Sequence, residues 1–298
     1  MSGAQLLRFL AEVEKIAEDR TEPREIMAPA IHHMARLMTI VEEKGLMSHD
    51  EVISESTFLI DFAQDQTRDT VSRGQALQAM GIVGQQAGRP AIAAILTDPA
   101  NLNIPDLARS ACVALQRLGG EEAGAAIAGV LAKTSDASVF GTAAYCLGQI
   151  KTPSSMVALV GSTGRFPNSA AVGAALVDLD SVIEEVLSNP NNPNLVEAIQ
   201  ATTFLWQDGQ KQQYIPALRA LLATAPDQAR SEALDRLIGE AASHDLTSEK
   251  QELSGLLSVV QAQPILARQV EQMQRRLFAT LLTPNGSTEA TPARVPTK

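Results

Sequence analysis

The chain of 298 residues carries 34 acidic and 24 basic side chains, a formal net charge of −10, and is 45% hydrophobic but only 3% aromatic. That balance lacks the clustered Lys and Arg that neutralise nucleic-acid phosphates, so no nucleic-acid partner is expected, and few aromatics beside abundant Ala, Leu, Gln and Glu set an all-α expectation. The stretch Met1 to Arg8 shows no cationic segment leading into an apolar run, and no window approaches the ~18 apolar residues of a membrane span, so the reading is an acidic protein without membrane insertion, located in the cytoplasm.

Three helices are expected first, at about 4–19, 24–44 and 50–65, bounded by Thr21 with Pro23, by Gly45, and by Ser48 with Glu51 three residues on, a capping-box spacing. Residues 1–70 hold 14 acids against 7 bases, most of the chain's negative charge, which suits a polar-faced N-terminal cap. His32 and His33 are adjacent on the second of these helices and point to different faces, so they cannot share a metal as an i, i+4 pair does. His49 and His244 are isolated in sequence. No metal site and no cofactor are expected.

An internal repeat follows. Ala76-Leu77-Gln78-Ala79-Met80-Gly81-Ile82-Val83-Gly84 is matched 35 residues later by Ala111-Cys112-Val113-Ala114-Leu115-Gln116-Arg117-Leu118-Gly119, and 32 residues further on by Ala143 through Lys151. Small residues recur at helical spacing, a pattern that lets a neighbouring helix approach closely. Each block leads into a second, aliphatic helix. Ile92, Ile95 and Leu96 superpose on Ile127, Val130 and Leu131, and the third copy continues through Thr152-Pro153, an N-cap and N1 pair, to Met156, Leu159 and Val160. Cys112 and Cys146 fall inside the apolar patterns and read as small core residues.

Ala171 through Leu176, followed by Ile183, Val186 and Leu187, fits a fourth unit. Ala198 through Leu205, then Tyr214 through Leu222, fits a fifth, and Asp227 caps a further helix carrying Ala233, Leu234, Leu237 and Ile238. Trp206, with Phe204, Leu205 and Tyr214, is the one aromatic concentration and reads as core packing in preference to an exposed anchor. Ser248 with Gln251 opens a last helical region that Pro264 splits, and Thr283 to Lys298, without apolar periodicity, reads as a disordered tail. The expected organisation is an acidic cap at 1–70, a repeat array at 71–245, C-terminal capping helices at 246–282 and a tail at 283–298.

The spacing, the small-residue first helix ending on Gly and the short aliphatic second helix resemble HEAT repeats, in particular the short phycobilisome-lyase type, most clearly over residues 72–162. The resemblance implies a right-handed α-α superhelix, an armadillo-like α-solenoid, whose second helices line a concave partner-binding surface. Arg89, Glu121, Glu122, Lys133, Glu184, Glu185, Lys211, Gln212 and Arg219 fall on or just before those helices, and their mixed sign suits a protein partner. Asp178, Asp180, Glu184 and Glu185 form the densest acidic cluster, explained by helix N-terminal electrostatics without a ligand.

No sequence feature supports catalysis. Gly81–Gly84 and Gly161–Gly164 follow no expected strand and lack a P-loop lysine, and no Ser sits in a Gly-x-Ser-x-Gly elbow. The expected function is a non-catalytic scaffold or adaptor for another protein. The alternative from the same resemblance is an enzyme of the lyase or HEAT-fold DNA-glycosylase type, acting on a bound chromophore or a damaged base.

Overall fold

A computed structural model describes residues 2–19, 21–166, 170–206 and 211–243, apart from the side chains of 206, 211–213, 215 and 238–243. The capping and tail segments expected at 246–282 and 283–298 lie outside the described residues, as does His244. Among the described residues all regular structure is helical, and no helix is long and apolar enough to cross a membrane. The chain divides into two compact units, Met1–Lys211 and Gln212–Lys298, a division that falls inside the array expected at 71–245.

In the first unit, α1 (Gly3–Glu18) opens on a capping box between Ser2 and Gln5, and α2 (Arg24–Glu43) ends before Gly45, whose φ of 64° only glycine adopts without strain. The third expected helix is two short ones, α3 (His49–Glu55) and α4 (Phe58–Gln64). Ser48 and Glu51 cap α3 reciprocally, as the spacing predicts. The break after it comes from Ser56 and Thr57, whose hydroxyls donate to the Ile53 carbonyl at 3.0 and 3.1 Å, while Gln85 Nε2 donates to the same carbonyl at 2.8 Å. Hydroxyls bonded back in this way compete with the next helical turn.

Helix pairs then follow: α5 (Thr70–Val83) with α6 (Arg89–Thr97), α8 (Pro105–Leu118) with α9 (Glu121–Lys133), α10 (Ala137–Ile150) with α11 (Pro153–Gly161), and α12 (Ala170–Asp178) with α13 (Asp180–Ser188). Between the first two pairs lies a turn of helix that periodicity did not reveal, α7 (Pro99–Leu102), capped by Asp98. The unit closes with α14 (Leu195–Trp206). Asp69 and Asp136 cap α5 and α10, and Thr152 caps α11 ahead of Pro153.

Two layers result. Helices α2, α5, α8, α10, α12 and α14 each pack on the next, and α4, α6, α9, α11 and α13 do the same beside them. The core lies between the layers. Ala79, Ala114 and Cys146, at one repeat position, are fully buried, as are Met80, Leu115 and Leu147 at the next, with Ile92, Ile127 and Met156 facing them from the second layer. Each buried Leu, Ile or Met contributes about 1.5–3 kcal/mol. Cys112 and Cys146 are buried free thiols within this core, and burial pushes the Cys146 thiol up to about 12.

The first-layer helices approach through glycine. A Cβ on Gly81 would stand 3.0 Å from Ala114 Cα, and one on Gly148, the equivalent residue two repeats on, 2.9 Å from the Ala175 carbonyl oxygen. Buried arginine adds polar ties: Arg73, 3% exposed, donates from Nε to the Ala63 carbonyl at 2.9 Å and from Nη2 to Asn101 Oδ1 at 3.2 Å, joining α4, α5 and α7.

In the second unit, α15 (Lys211–Thr224) and α16 (Asp227–Ser243) bury Tyr214, Leu218, Leu221, Leu222, Ala229, Ala233, Leu234 and Leu237. Asp227 is the first residue of α16 and pairs with Arg230 at 3.5 Å. Of the aromatic concentration, Leu205 and Tyr214 are buried, and Phe204 is half-buried, its ring 3.6 Å from where a Gly173 Cβ would stand.

Two predictions follow from this packing. Gly148→Ala meets the Ala175 backbone and loses ~1–3 kcal/mol in urea unfolding, whereas Gly129→Ala, where an added Cβ meets nothing within 4 Å, gains up to ~1 kcal/mol from helix propensity; equal effects would refute the close-approach account. Separately, Glu14 is half-buried with Oε1 unpartnered, and burial, then Glu55 and Glu18, raise its pKa from 4.5 to about 7. A carboxyl whose folded-state pKa exceeds its unfolded value contributes stability that is complete below about 4.5 and is lost as pH rises through about 7. Glu14→Gln therefore raises Tm at pH 8, by about 2–4 °C for an effect that partial exposure holds near 1 kcal/mol, and leaves Tm at pH 4 unchanged.

Candidate functional site

The residues expected on the second helices fall on α6, α9 and α13 of the first unit and on α15. Arg89, first in α6, is turned into the array: Nη2 donates to the Leu118 carbonyl at 3.3 Å and to Gln86 Oε1, and Nη1 lies 3.7 Å from Glu122 Oε2. It closes the C-terminal end of α8, a task Arg165 repeats for α9 by donating to the Leu131 and Thr134 carbonyls. Arg89 and Glu122 are thus a proposed pair that the structure brings together. Glu121 and Lys133 are exposed at opposite ends of α9, and Glu184 and Glu185 are exposed on α13. Lys211, Gln212 and Arg219 lie on α15, where Arg219 is half-buried and the Lys211 and Gln212 side chains fall outside the described residues.

Two cavities lie on the first layer. One cavity of about 400 Å³ is lined by Val71, Gln75 and Gln78 of α5, Arg109 and Ser110 of α8 and Thr142 of α10. A second, of about 660 Å³, shares Val71, Gln75 and Gln78 and continues onto α2 at Arg24, Glu25, Ala28, Pro29, His32 and His33. Sharing three residues, the two form one groove across α2, α5, α8 and α10.

Its lining follows the repeat. Val71 and Asp106 are equivalent at an offset of 35, as are Gln78 and Val113, and Gln75, Ser110 and Thr142 at offsets of 35 and then 32; Tyr145 is the α10 residue at the position of Gln78 and Val113. Along each helix these positions are four and three residues apart, one face of a 3.6-residue period. Gln75, Ser110 and Thr142 are polar at one repeat position, the signal in the sequence that marks this face. Gln78 Nε2 donates to Ser110 Oγ at 3.0 Å and Arg109 Nη1 to Ser138 Oγ at 3.0 Å, so polar side chains bridge adjacent helices along the groove. Val71 and Tyr145 remain 44% and 57% exposed.

At the α2 end, His32 and His33 meet edge to face with ring centroids 5.8 Å apart. Burial first, then His33, Arg36 and Arg117, hold the His32 pKa below its ordinary 6.5, so its ring is neutral at pH 7. Glu25 is taken up by Arg24 at 3.0 Å and Asp106 by Arg109. Among the described residues no group of three or more His, Cys, Asp or Glu is placed to hold a metal ion. No protein-family model matches the sequence, and no curated protein is significantly similar to it.

Removing one of these charges moves the histidine. In an NMR titration the His32 ring titrates below 6.5, and Arg117→Ala raises its midpoint towards that value; an unmoved midpoint would separate Arg117 from the groove.

Proposed function

We propose that the chain is a HEAT-like α-solenoid scaffold, cytoplasmic and non-catalytic, that holds a segment of a partner protein in the groove across α2, α5, α8 and α10. The observation that carries this reading is the groove's construction from repeat-equivalent positions on successive helices, so that partner contacts accumulate along the array with no single essential residue. The small-residue repeat and the two packed layers support a superhelical array. Neighbouring helix axes lie ~8–10 Å apart, so the three steps from α2 to α10 give ~24–30 Å, a length that seven to nine residues of extended chain cover at ~3.3 Å each. The two buried free thiols fit a reducing compartment.

Placing the binding surface on the first layer departs from what the HEAT resemblance implies for the second helices. Arg89 is occupied in closing α8, and Glu121 and Lys133 stand at opposite ends of α9.

A photo-crosslinking side chain installed at Gln75 or Thr142 of the full chain, irradiated in native extract, is expected to give discrete protein adducts that the same probe at Glu184 or Glu185 does not give. Adducts from Glu184 and Glu185 alone would return the surface to the second helices. Nucleic acid as the adduct would overturn the protein-scaffold reading.

A further inference from the structure

Charge along the groove is unevenly satisfied. The carboxylates that line it are engaged: Glu25 by Arg24 and Asp106 by Arg109. The cations towards the C-terminal ends of the same helices are not. Arg36 lies one turn beyond His32 on α2, and Arg117 lies one turn beyond Val113 on α8, both are exposed, and neither has an ion-pair partner among the described residues.

The crossing at Gly81 brings α8 close to α5: a Cβ there would stand 3.4 Å from Arg117 Cβ, so the arginine stem rests against the helix that lies between its own and α2. Two permanent cations, one on α2 and one on α8, therefore stand on the C-terminal side of a groove whose α2 end carries the His32–His33 pair, on a chain whose net charge is −10. The groove itself offers the Gln75 amide, with both a donor and an acceptor, and the exposed apolar side chain of Val71, while Tyr145, exposed on α10, holds the repeat position of Gln78 and Val113.

Resting on the groove reading above, we infer that the occupant is an extended acidic segment of a partner protein, its carboxylates paired with Arg36 and Arg117 and its apolar side chains set on Val71 and Tyr145. Charge complementarity selects the sign of the partner. The exposed apolar pair and the free amide select a peptide, which has a backbone and side chains to use them. Duplex DNA is disfavoured, because Glu25 and Asp106 line the same groove and two free arginines neutralise too few phosphates.

The test uses the full chain and a fluorescein-labelled peptide of about ten residues alternating glutamate and leucine, long enough to cross the groove at ~3.3 Å per residue. Fluorescence anisotropy compares it with the same peptide carrying glutamine, or lysine, in place of glutamate, and with a labelled DNA duplex. The glutamate peptide is expected to bind best, to weaken as salt rises, and to lose at least ~10-fold in affinity, or about 1.4 kcal/mol, in Arg36→Glu/Arg117→Glu. Arg36→Lys/Arg117→Lys retains most of the binding, and an unchanged thermal melt shows that the reversal variant is folded. Tyr145→Ala weakens both the glutamate and glutamine peptides.

Equal affinity for the glutamine peptide would overturn the acidic inference and leave the groove reading standing. Tighter binding of duplex DNA would overturn both. No binding of any peptide would overturn the acidic inference, with the groove reading then decided by the crosslinks from Gln75 and Thr142.

Discussion

Two helices can pack no closer than the side chains between them permit, and in this chain that limit is set at repeat positions occupied by glycine. Gly81 against Ala114 and Gly148 against Ala175 bring backbones to distances at which one added carbon would collide with main chain. Glycine in a helix interior gives up about 1 kcal/mol of intrinsic stability relative to alanine, a cost recovered here by burying the adjacent Met80, Leu115 and Leu147. From this approach follow the first layer, the core between it and the second layer, and the shallow groove on its outer side.

Polar chemistry serves the same array. Arg73 ties α4, α5 and α7 together from within the core, and Arg89 and Arg165 donate to carbonyls at the ends of α8 and α9, so several of the chain's arginines satisfy groups that helix termini leave open. Against that background Arg36 and Arg117 differ: they stand on the exposed face of the first layer, and their charge registers on His32 and is neutralised by no side chain among the described residues. The groove positions lie where structural demands are already met, on surface positions that the repeat duplicates and the core does not constrain.

How much was legible depends on the range of the determining interaction. Helix starts at Ser48 with Glu51 and at Thr152 with Pro153, the glycine stops at Gly84 and Gly119, and the inward positions of both helices in each pair follow from local capping, positive φ and the 3.6-residue period. The split between α3 and α4 was not legible, because the Ile53 carbonyl is claimed partly by Gln85, 32 residues away. The turn at α7 was too short for periodicity to register, although its Asp98-Pro99 start carries ordinary capping chemistry.

By itself, then, the sequence determined that the chain is helical, where most helices begin and end, and which faces are apolar, since propensity, capping and periodicity act within a few residues. Tertiary structure decided which polar positions converge. Arg89 looks like a free surface cation in sequence and becomes a helix-end donor once α8 is beside it, whereas Gln75, Ser110 and Thr142 acquire a common meaning only when successive first helices are laid side by side. Convergence of that kind is set by packing between residues some thirty positions apart, and no local preference encodes it.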